Sequence, residues 1–201
     1  MRLLAEDLAC RRGDREVFSG VGFDLAAGEA LTVTGRNGSG KSSLLRLVAG
    51  LLRPMGGRIA LEGGDSELTI AEQAHYLGHL DALKPALSVR ENLDFWSRYL
   101  GPADSAPEAA LAAAGLDELA ALPAAYLSAG QRRRLSLARL VSVKRPIWLL
   151  DEPASALDAS GQARLAELMR AHLAQGGLIL AAAHGAIGLE SSKELRLGEV
   201  Q

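Results

Sequence analysis

The sequence predicts an α/β fold in which a mostly parallel sheet is covered on both faces and a helical lobe is inserted into the chain. Short β-rich runs alternate with segments long enough to form crossover helices. Two of these runs, residues 147–151 (IWLLD) and 178–183 (LILAAA), are almost continuously apolar, as strands buried on both faces are. Between about residues 81 and 144 alanine-rich segments with strong helix propensity replace the β-rich runs, so we expect a helical lobe there.

Three further strands are predicted, over residues 22–25, 30–34 and 58–61. The spacing between the last two of these and the two apolar runs leaves room for helices that cross from one parallel strand to the next. We therefore expect the strand at 58–61 to share the parallel sheet.

Two helix starts in the lobe have the spacing of a capping box, in which a serine and a glutamate three residues later satisfy each other's backbone N–H groups. Ser88 precedes Glu91 by this spacing, and Ser105 precedes Glu108 in the same way. Pro107 also suits the first turn of a helix. We expect a helix to begin after each serine.

The composition suits one domain with an inserted lobe, since the chain has 201 residues of which 48% are hydrophobic. The formal net charge of -2 gives no overall basic field, which argues against nucleic acid as a partner. The single cysteine, Cys10, cannot form a disulfide within the chain, and no leader segment opens the sequence, so we expect a cytoplasmic protein. The longest apolar run, at 177–183, is shorter than the roughly 20 residues that cross a bilayer.

Residues 35–43 read GRNGSGKSS and fit the phosphate-binding pattern G-x-x-x-x-G-K-[ST]. A predicted strand precedes this loop and a helix-forming run follows it, which is the context of P-loop nucleoside triphosphatases; a loop that only turns the chain is the alternative. Glycines let backbone N–H groups converge on phosphate oxygens at a helix start. Lys41 would reach the β- and γ-phosphates of ATP, and the Ser42 hydroxyl would ligate Mg²⁺. The predicted ATP-binding residues of the loop are Gly35, Arg36, Asn37, Gly38, Ser39, Gly40, Lys41, Ser42 and Ser43.

The apolar strand at 147–151 ends in two adjacent carboxylates, Asp151 and Glu152. Because neighbouring residues of a strand point to opposite sides, we predict that Asp151 holds Mg²⁺ through a coordinated water and that Glu152 faces the attacking water as general base. His184 follows the other apolar strand, at the edge where open α/β sheets bind ligands. We predict that His184 lies on the γ-phosphate side, and a purely structural histidine is the alternative.

Residues 127–134 read LSAGQRRR and start a helical run. Ser128, Ala129, Gly130 and Gln131 would present a hydroxyl and small-residue N–H groups to an anion, which indicates a second phosphate site. One nucleotide in one chain has no need of this second site, so a dimer is predicted. The following arginines, 132–134, are expected to be solvated or paired with acids.

These motifs resemble those of the ATP-binding cassette (ABC) family, in order and spacing, across essentially the whole chain. GRNGSGKSS is similar to the Walker A motif, IWLLDEP to Walker B and LSAGQ to the signature motif. ASALD at 154–158 is similar to the D-loop, which includes Asp158, and His184 to the switch histidine.

The resemblance implies an ATP-hydrolysing enzyme with one nucleotide-binding domain over residues 1–201. Its RecA-like core would carry an N-terminal antiparallel β part, with the helical subdomain inserted at about 81–144. The resemblance also implies a head-to-tail homodimer, in which Ser128 and Gly130 of one copy contact the γ-phosphate of ATP bound to the other.

Two positions depart from the family pattern. The coupling loop has His79 where the family usually has a glutamine that links the nucleotide to the helical subdomain, and a histidine keeps hydrogen-bonding ability with a different reach. Arg12 stands where an aromatic side chain usually stacks on adenine, and its guanidinium plane is a candidate replacement. Phe18 is an aromatic alternative for which we expect core packing.

His79, the LSAGQ signature and the short segment after His184 resemble the haem-exporter ATPases of cytochrome c biogenesis. That resemblance implies a peripheral subunit at the cytoplasmic face of the bacterial inner membrane, bound to haem-handling integral-membrane subunits. ATP hydrolysis would be coupled to haem export or to release of a haem-loaded chaperone. The membrane subunit would contact residues 79–99, with Phe95 and Trp96 as candidates for contact or for core packing.

Two other functions remain open from the residues. The chain could serve another small-molecule ABC transporter, which shares all of the motifs above. A cassette protein that acts on the ribosome or on DNA fits less well, because such proteins usually hold two cassettes or coiled-coil arms and a basic patch.

Overall fold

The computed structural model describes residues 1–101, 105–185 and 187–198. Within that part of the chain there are eight strands and five α-helices, with short 3-10 turns at Asp117–Leu119 and Ala124–Tyr126. The strands are β1 (Arg2–Arg12), β2 (Arg15–Ala26), β3 (Ala30–Gly35), β4 (Gly56–Glu62), β5 (Ala74–Leu77), β6 (Ile147–Asp151), β7 (Leu178–Ala182) and β8 (Lys193–Leu197). The helices are α1 (Lys41–Val48), α2 (Val89–Leu100), α3 (Pro107–Ala113), α4 (Ala129–Ser142) and α5 (Ala159–Ala174).

The chain forms two compact units. The first comprises Met1–Gly78, Pro146–Pro153 and Met169–Gln201, and it contains both sheets. The second comprises His79–Arg145 and Ala154–Leu168, and it contains α2, α3 and α4.

The first unit holds a parallel sheet with the strand order β5-β6-β7-β3-β8. Every residue of β6 and β7 is buried, as expected for central strands covered on both faces. In register, Asp151 lies opposite Ala182 on β7, and Val33 of β3 lies opposite Ala182 on its other side. The carboxyl ends of β3, β6 and β7 therefore meet at one edge of the sheet, where the chain places its predicted site.

The predicted strand at 58–61 forms, but not in the parallel sheet. It is part of β4, which pairs antiparallel with β1 in a second sheet of order β2-β1-β4. Several positions of β4 are exposed, including Arg58. A strand with one solvent-exposed face suits an antiparallel sheet. Its position in the parallel sheet is taken by β5, whose sequence AHYL is too short and too polar to stand out as a strand.

The core of the first unit joins the two sheets and α1. It includes Leu3 and Leu25 of the antiparallel sheet, Leu149 and Leu180 of the parallel sheet, and Leu44 of α1. All five side chains are fully buried or nearly so. At about 1.5–3 kcal/mol for each buried side chain of this size, this packing holds α1, and so the loop before it, against the sheet.

The second unit has a smaller apolar core between its helices, formed by residues such as Val89, Leu93, Leu111 and Leu135. The capping box predicted at the start of α2 is present, with Ser88 paired with Glu91. The start of α4 also has a complete capping box, formed by Ser128 and Gln131. Among the described residues, no helix is both long enough and apolar enough to cross a bilayer.

The capping box predicted at Ser105 and Glu108 is wrong. The cap residue of α3 is Ala106, because Pro107 occupies the first helical position and so fixes where the helix starts. The Ser105 hydroxyl instead donates to the carbonyl of Val141 (3.1 Å), and Glu108 pairs with Arg90 (2.6 Å).

Candidate active site

The loop between β3 and α1 requires glycine at two positions for steric reasons. Gly35 has φ 139°, and a Cβ there would clash with the carbonyl oxygen of Leu197 and would lie 2.7 Å from the Ser39 hydroxyl. Gly40 has φ 102°, and a Cβ there would lie 2.6 Å from Val17. The left-handed backbone and the close neighbours together exclude side chains, so the loop can wrap tightly at the sheet edge.

The start of α1 leaves backbone donors for a ligand. Gly40 caps the helix and provides no side-chain acceptor, and the first intrahelical bond runs from Leu44 N to the Gly40 carbonyl (2.8 Å). The N–H groups of residues 41–43 therefore lie at a positive helix end without partners in the helix itself. Such an end binds phosphate groups.

Lys41 is positioned across this loop and is only 8% exposed. Its Nζ donates to the carbonyls of Gly35 (2.9 Å) and Arg36 (3.4 Å). An ammonium group has three protons, so two of them hold the side chain against the loop and one remains for an anion. The lysine is thus oriented before a phosphate arrives.

Ser42 and Asp151 come together although they are far apart in sequence. The Ser42 hydroxyl donates to Asp151 Oδ1 (2.9 Å), and Asp151 is 3% exposed at the end of β6. A hydroxyl oxygen and a carboxylate oxygen are hard ligands of the kind that Mg²⁺ prefers, with phosphate oxygens and waters filling its other positions. Among the described residues there is no cluster of three or more His, Cys, Asp or Glu side chains that would hold a metal without substrate.

Glu152 and His184 also lie together, with Glu152 Oε1 3.4 Å from His184 Nε2. Strand alternation was the reason for the predicted direction of Glu152, but β6 ends at Asp151 and Glu152 has a left-handed φ of 49°. Its N–H donates to the carbonyl of Ala182 (2.9 Å). A non-glycine residue in this conformation is strained by roughly 1–2 kcal/mol. Because of this turn, Glu152 does not continue the path of strand β6.

His184 also lines an open cavity of about 660 Å³ in the first unit, together with Gly35, Arg36 and Gly185. A volume of this size suits a small-molecule ligand. The cavity brings the histidine and the loop to one recess at the sheet edge.

The helix α4 starts differently from α1. Ser128 Oγ accepts from the N–H of Gln131 (3.2 Å), and the Gln131 side chain accepts from the N–H of Ser128 (2.8 Å). The N–H groups of Ala129 and Gly130 precede the first intrahelical bond, which runs from Arg132 N to the Ser128 carbonyl (2.9 Å). The Ser128 hydroxyl proton and these two N–H groups are therefore the donors that this helix end presents.

The D-loop segment contacts the start of α4 within the second unit. A Cβ on Gly130 would lie 2.9 Å from the carbonyl oxygen of Ala156, whose own φ is 62°. Asp158 accepts from the N–H of Gly161 (2.8 Å) and from the Ser160 hydroxyl (3.0 Å) at the start of α5. The Gly161 N–H in particular lowers the pKa of Asp158. Gly130 is therefore glycine for a packing reason that the sequence did not reveal.

Of the residues predicted near the adenine and the coupling loop, Arg12 and His79 lie on the surface. Arg12 is the exposed last residue of β1, where it lies opposite Arg15, and His79 is exposed at the start of the second unit. Phe18 is 8% exposed and packs in the core, as expected.

Arg133 is paired with an acid, one of the two outcomes expected for arginines 132–134, but its burial was not predicted. It is 2% exposed and its guanidinium lies 3.4 Å from Asp81 Oδ1. The signal was available, since Arg133, Leu137 and Leu140 recur at the i, i+4, i+7 spacing of a buried helix face. Its neighbours Arg132 and Arg134 donate to the carbonyls of Leu127 and Gly115 and are half-buried, so none of the three arginines is simply solvated.

Comparison with known proteins identifies the family. Residues 18–155 match the family model described as ABC transporter. The chain belongs to the ABC transporter ATPases. As an ABC ATPase, the cassette binds ATP and pairs with membrane subunits, and the predicted family, fold and enzyme class are confirmed.

Similar proteins place the cassette more narrowly. It is 62% identical over 200 residues to the cytochrome c biogenesis ATP-binding export protein CcmA of Bradyrhizobium diazoefficiens, with 100% of both chains covered. It is 65% identical over 198 residues to the protein of the same name from Rhodopseudomonas palustris strain BisB18, with 98% of both chains covered. The cassette therefore belongs to the family of cytochrome c biogenesis ATP-binding export proteins.

The fold also matches solved structures. An ATP-binding cassette in a dimeric, post-hydrolysis state bound to ADP and Pi superposes with a TM-score of 0.81 at 20% identity, covering 97% of this chain and 94% of that one. This similarity confirms the α/β cassette fold.

Proposed function

We propose that this cassette is the ATP-hydrolysing subunit of a membrane complex for c-type cytochrome biogenesis. The observation that carries the proposal is the identity of 62% over the full length to a protein named for ATP binding and export in that process. The geometry supports the ATPase part, because Lys41, the Ser42–Asp151 pair and the Glu152–His184 pair surround one phosphate loop.

In the proposed reaction, the loop and the first turn of α1 hold the phosphates of ATP, and Lys41 contacts the β- and γ-phosphates. Glu152 accepts a proton from the water that attacks the γ-phosphorus, while the bond from that phosphorus to the bridging oxygen breaks to give ADP and phosphate. His184, 3.4 Å from Glu152, orients the carboxylate and contacts the γ-phosphate side. The left-handed backbone of Glu152 is proposed to help orient its carboxylate towards the attacking water.

Ser42 and Asp151 are the residues that would hold Mg²⁺, Ser42 directly and Asp151 through a water. Their oxygens lie 2.9 Å apart beside the phosphate loop, and both are hard donors of the kind that would suit this cation. When bound, Mg²⁺ neutralises charge that develops on the phosphate oxygens.

Two copies are proposed to act together. Ser128, Ala129 and Gly130 present donors at the start of α4, and the chain already has a complete phosphate loop elsewhere. In the head-to-tail arrangement these donors contact the γ-phosphate of ATP held by the other copy, with Gln131 completing the cap that orients Ser128. Asp158 stabilises the start of α5 in the neighbouring D-loop.

The membrane subunit is proposed to contact a groove on α2. Leu87, Phe95 and Tyr99 line this cavity of about 590 Å³ beside three charged side chains, Glu91, Asp94 and Arg98. Phe95 is 38% exposed and Tyr99 73% exposed, with their rings stacked 6.5 Å apart. Exposed aromatics in a groove are typical of protein contacts.

Trp96, the other aromatic candidate for this contact, is half-buried and packs against neighbouring residues of the second unit. Its Nε1 donates to the carbonyl of Ala82 (3.0 Å), and the Arg139 guanidinium lies 4.4 Å from its ring. Phe95 is therefore the candidate that we retain for the membrane contact.

The cassette is proposed to lie at the cytoplasmic face of the bacterial inner membrane as a peripheral subunit, next to haem-handling integral-membrane partners. Hydrolysis would drive haem export or release of a haem-loaded chaperone. The exposed His79 and Arg12 are proposed to replace the usual glutamine near the nucleotide and the usual aromatic at adenine.

The test is complementation of a strain in which the corresponding gene is deleted. The parent chain should restore c-type cytochromes detected by haem staining, and Lys41→Ala and Glu152→Gln should not, although both accumulate to the parental level. Restoration by the inactive variants would overturn the ATPase role. Full cytochrome content in the deletion strain itself would assign the cassette to another transporter.

A further inference from the structure

The segment that follows His79 is fastened to the signature helix α4 by one carboxylate. Asp81 Oδ1 accepts from the Ser136 hydroxyl (3.1 Å) and from Arg133 Nη1 (3.4 Å). The Ser136 hydroxyl also lies 3.0 Å from the backbone carbonyl of Asp81. Ser136 and Arg133 are 0% and 2% exposed, so bulk water cannot take over these contacts.

The same segment is fastened to α2 by two further side chains. Trp96 Nε1 donates to the carbonyl of Ala82, whose φ of 53° marks a sharp turn in the backbone. The buried Asn92 amide brackets Lys84, since it accepts from the Lys84 N–H (2.7 Å) and donates to the Lys84 carbonyl (3.0 Å). From Asp81 onward, the segment is therefore part of the packed helical unit.

The residues just before Asp81 are different. His79 and Leu80 have exposed side chains, and Leu80 is 80% exposed. Asp81 is thus the first residue at which the coupling loop is tied to the helices, two residues after the histidine that replaces the family's glutamine.

The contacts of Asp81 lie on the same rigid element as the signature residues. Ser136 is eight residues after Ser128 on one helix, a rise of roughly 12 Å at 1.5 Å per residue. A displacement of the segment at Asp81 must therefore move α4 and the donors at its start, because a packed helix does not bend easily over two turns.

We propose that Asp81 is a positioning residue which makes the His79 loop and the signature helix move as one body. It sets where Ser128 and Gly130 present their donors when a second copy binds. The proposal rests on the two-copy mechanism proposed above.

The test separates this role from a purely structural one. Complete removal of the Asp81 side chain would take the carboxylate from buried Arg133 and also an acceptor from the buried Ser136 hydroxyl, which is strongly destabilising. Asp81→Asn keeps the shape and an acceptor for Ser136 but removes the charge, and Ser136→Ala removes the other partner. Asp117→Asn is the matched control, because it makes the same chemical change at an exposed acid in the same unit.

Three quantities are measured for each variant: ATP affinity of the single chain with a fluorescent analogue, thermal unfolding, and the ATP concentration that half-saturates dimer formation in a Glu152→Gln background. For Asp81→Asn we expect single-chain affinity within about twofold of the parent and a concentration for dimer formation raised by about tenfold, within the usual range of coupling. Combining Asp81→Asn with Ser136→Ala should raise that concentration further, since the first change removes the charge that faces Arg133 and the second removes the Ser136 hydroxyl contact.

Dimer formation at the parental ATP concentration, with only the unfolding temperature lowered, would overturn the proposal and leave Asp81 a structural residue. An equal shift for Asp117→Asn would overturn it as well. Failure of the Glu152→Gln parent to dimerise with ATP would instead overturn the proposed two-copy function, and the inference with it.

Discussion

The starts of helices α1 and α4 are both candidates for binding phosphate, but their local structures differ. The helix α1 begins at Gly40 without any side-chain cap, and Lys41 lies across its loop. The helix α4 begins at Ser128 with a full capping box. The first start leaves its backbone donors open, and the second already uses the Gln131 and Ser128 N–H groups within the chain.

This difference indicates a division of roles. The uncapped start of α1 carries a lysine, a hydroxyl and a nearby carboxylate, and in the proposed function it binds the triphosphate in a single copy. The capped start of α4 uses part of its donors within the chain, and in the proposed function it completes the site of a second copy. The variants below should therefore separate binding from pairing.

Lys41→Ala should have the largest effect. It removes a charged contact to the phosphates in both the ground state and the transition state, so kcat/KM for ATP should fall by about 10⁴. Nucleotide binding by the single chain should weaken in parallel, measured by titration with a fluorescent analogue. The exposed Lys144, changed to Ala, is the control, and parental affinity in Lys41→Ala would refute the role of the loop.

Glu152→Gln should separate binding from chemistry. Loss of the proton acceptor should lower kcat by about 10²–10⁴, while ATP binding stays near the parental value because the loop is unchanged. Dimers should accumulate with ATP in analytical ultracentrifugation. Glu62→Gln, the same change at an exposed residue, should leave kcat unchanged. Parental kcat in Glu152→Gln would show that Glu152 is not the general base.

Gly130→Ala should affect pairing alone. Its new methyl group would meet the Ala156 carbonyl at 2.9 Å, so the start of α4 must shift by a few tenths of an ångström. Hydrolysis should fall by about 5- to 20-fold with single-chain ATP binding unchanged. Ala129→Gly, one residue earlier, should have little effect; a weaker affinity of single chains in Gly130→Ala would contradict the division of roles.

The smallest predicted effect concerns the stability of the unit that holds the phosphate loop. His172 stacks on Trp148 of β6 with ring centroids 4.0 Å apart, and burial lowers its pKa from 6.5 to about 4. The unfolded chain therefore binds an extra proton between these values, so stability is complete above about pH 6.5 and falls as the pH drops towards 4.

His172→Phe keeps the stacking and removes the titration. Relative to the parent, its free energy of unfolding, measured by urea titration, should fall less between pH 7 and pH 4.5, by about 1–2 kcal/mol after allowance for partial exposure. Identical acid sensitivity of parent and variant would show that this histidine does not set it.

Much of the phosphate-loop unit could be predicted because its chemistry lies in contiguous residues. The loop at 35–43 and the strand at 147–151 can each be recognised from a local sequence pattern. In the fold, the start of α1 places Ser42 beside Asp151 at the end of β6. Glu152 was predicted near the site for the wrong reason, since a left-handed turn rather than strand alternation directs it.

The second unit was harder to predict because its contacts join distant polar residues. Neither Asp81 nor Arg133 belongs to a motif, and the clash between Gly130 and Ala156 depends on a backbone turn with positive φ at an alanine. In the first unit, strand β5 was missed because four residues that include a histidine and a tyrosine give no apolar pattern. Such a short strand forms because it pairs with a neighbouring strand, and its own residues do not predict that pairing.

Cross-linking between copies tests the central claim most directly. Two differently tagged chains are mixed, both in the Glu152→Gln background. One carries Ser128→Cys, and the other carries Asn37→Cys in the exposed phosphate loop. The buried Cys10 stays in place, and the Glu152→Gln chain without added cysteines is the control. With ATP and Mg²⁺, a short thiol cross-linker should give a covalent product that contains both tags, and without nucleotide it should not. Absence of that mixed product, while chains with Glu152 intact keep hydrolysing ATP as monomers, would contradict a site that is completed by a second copy.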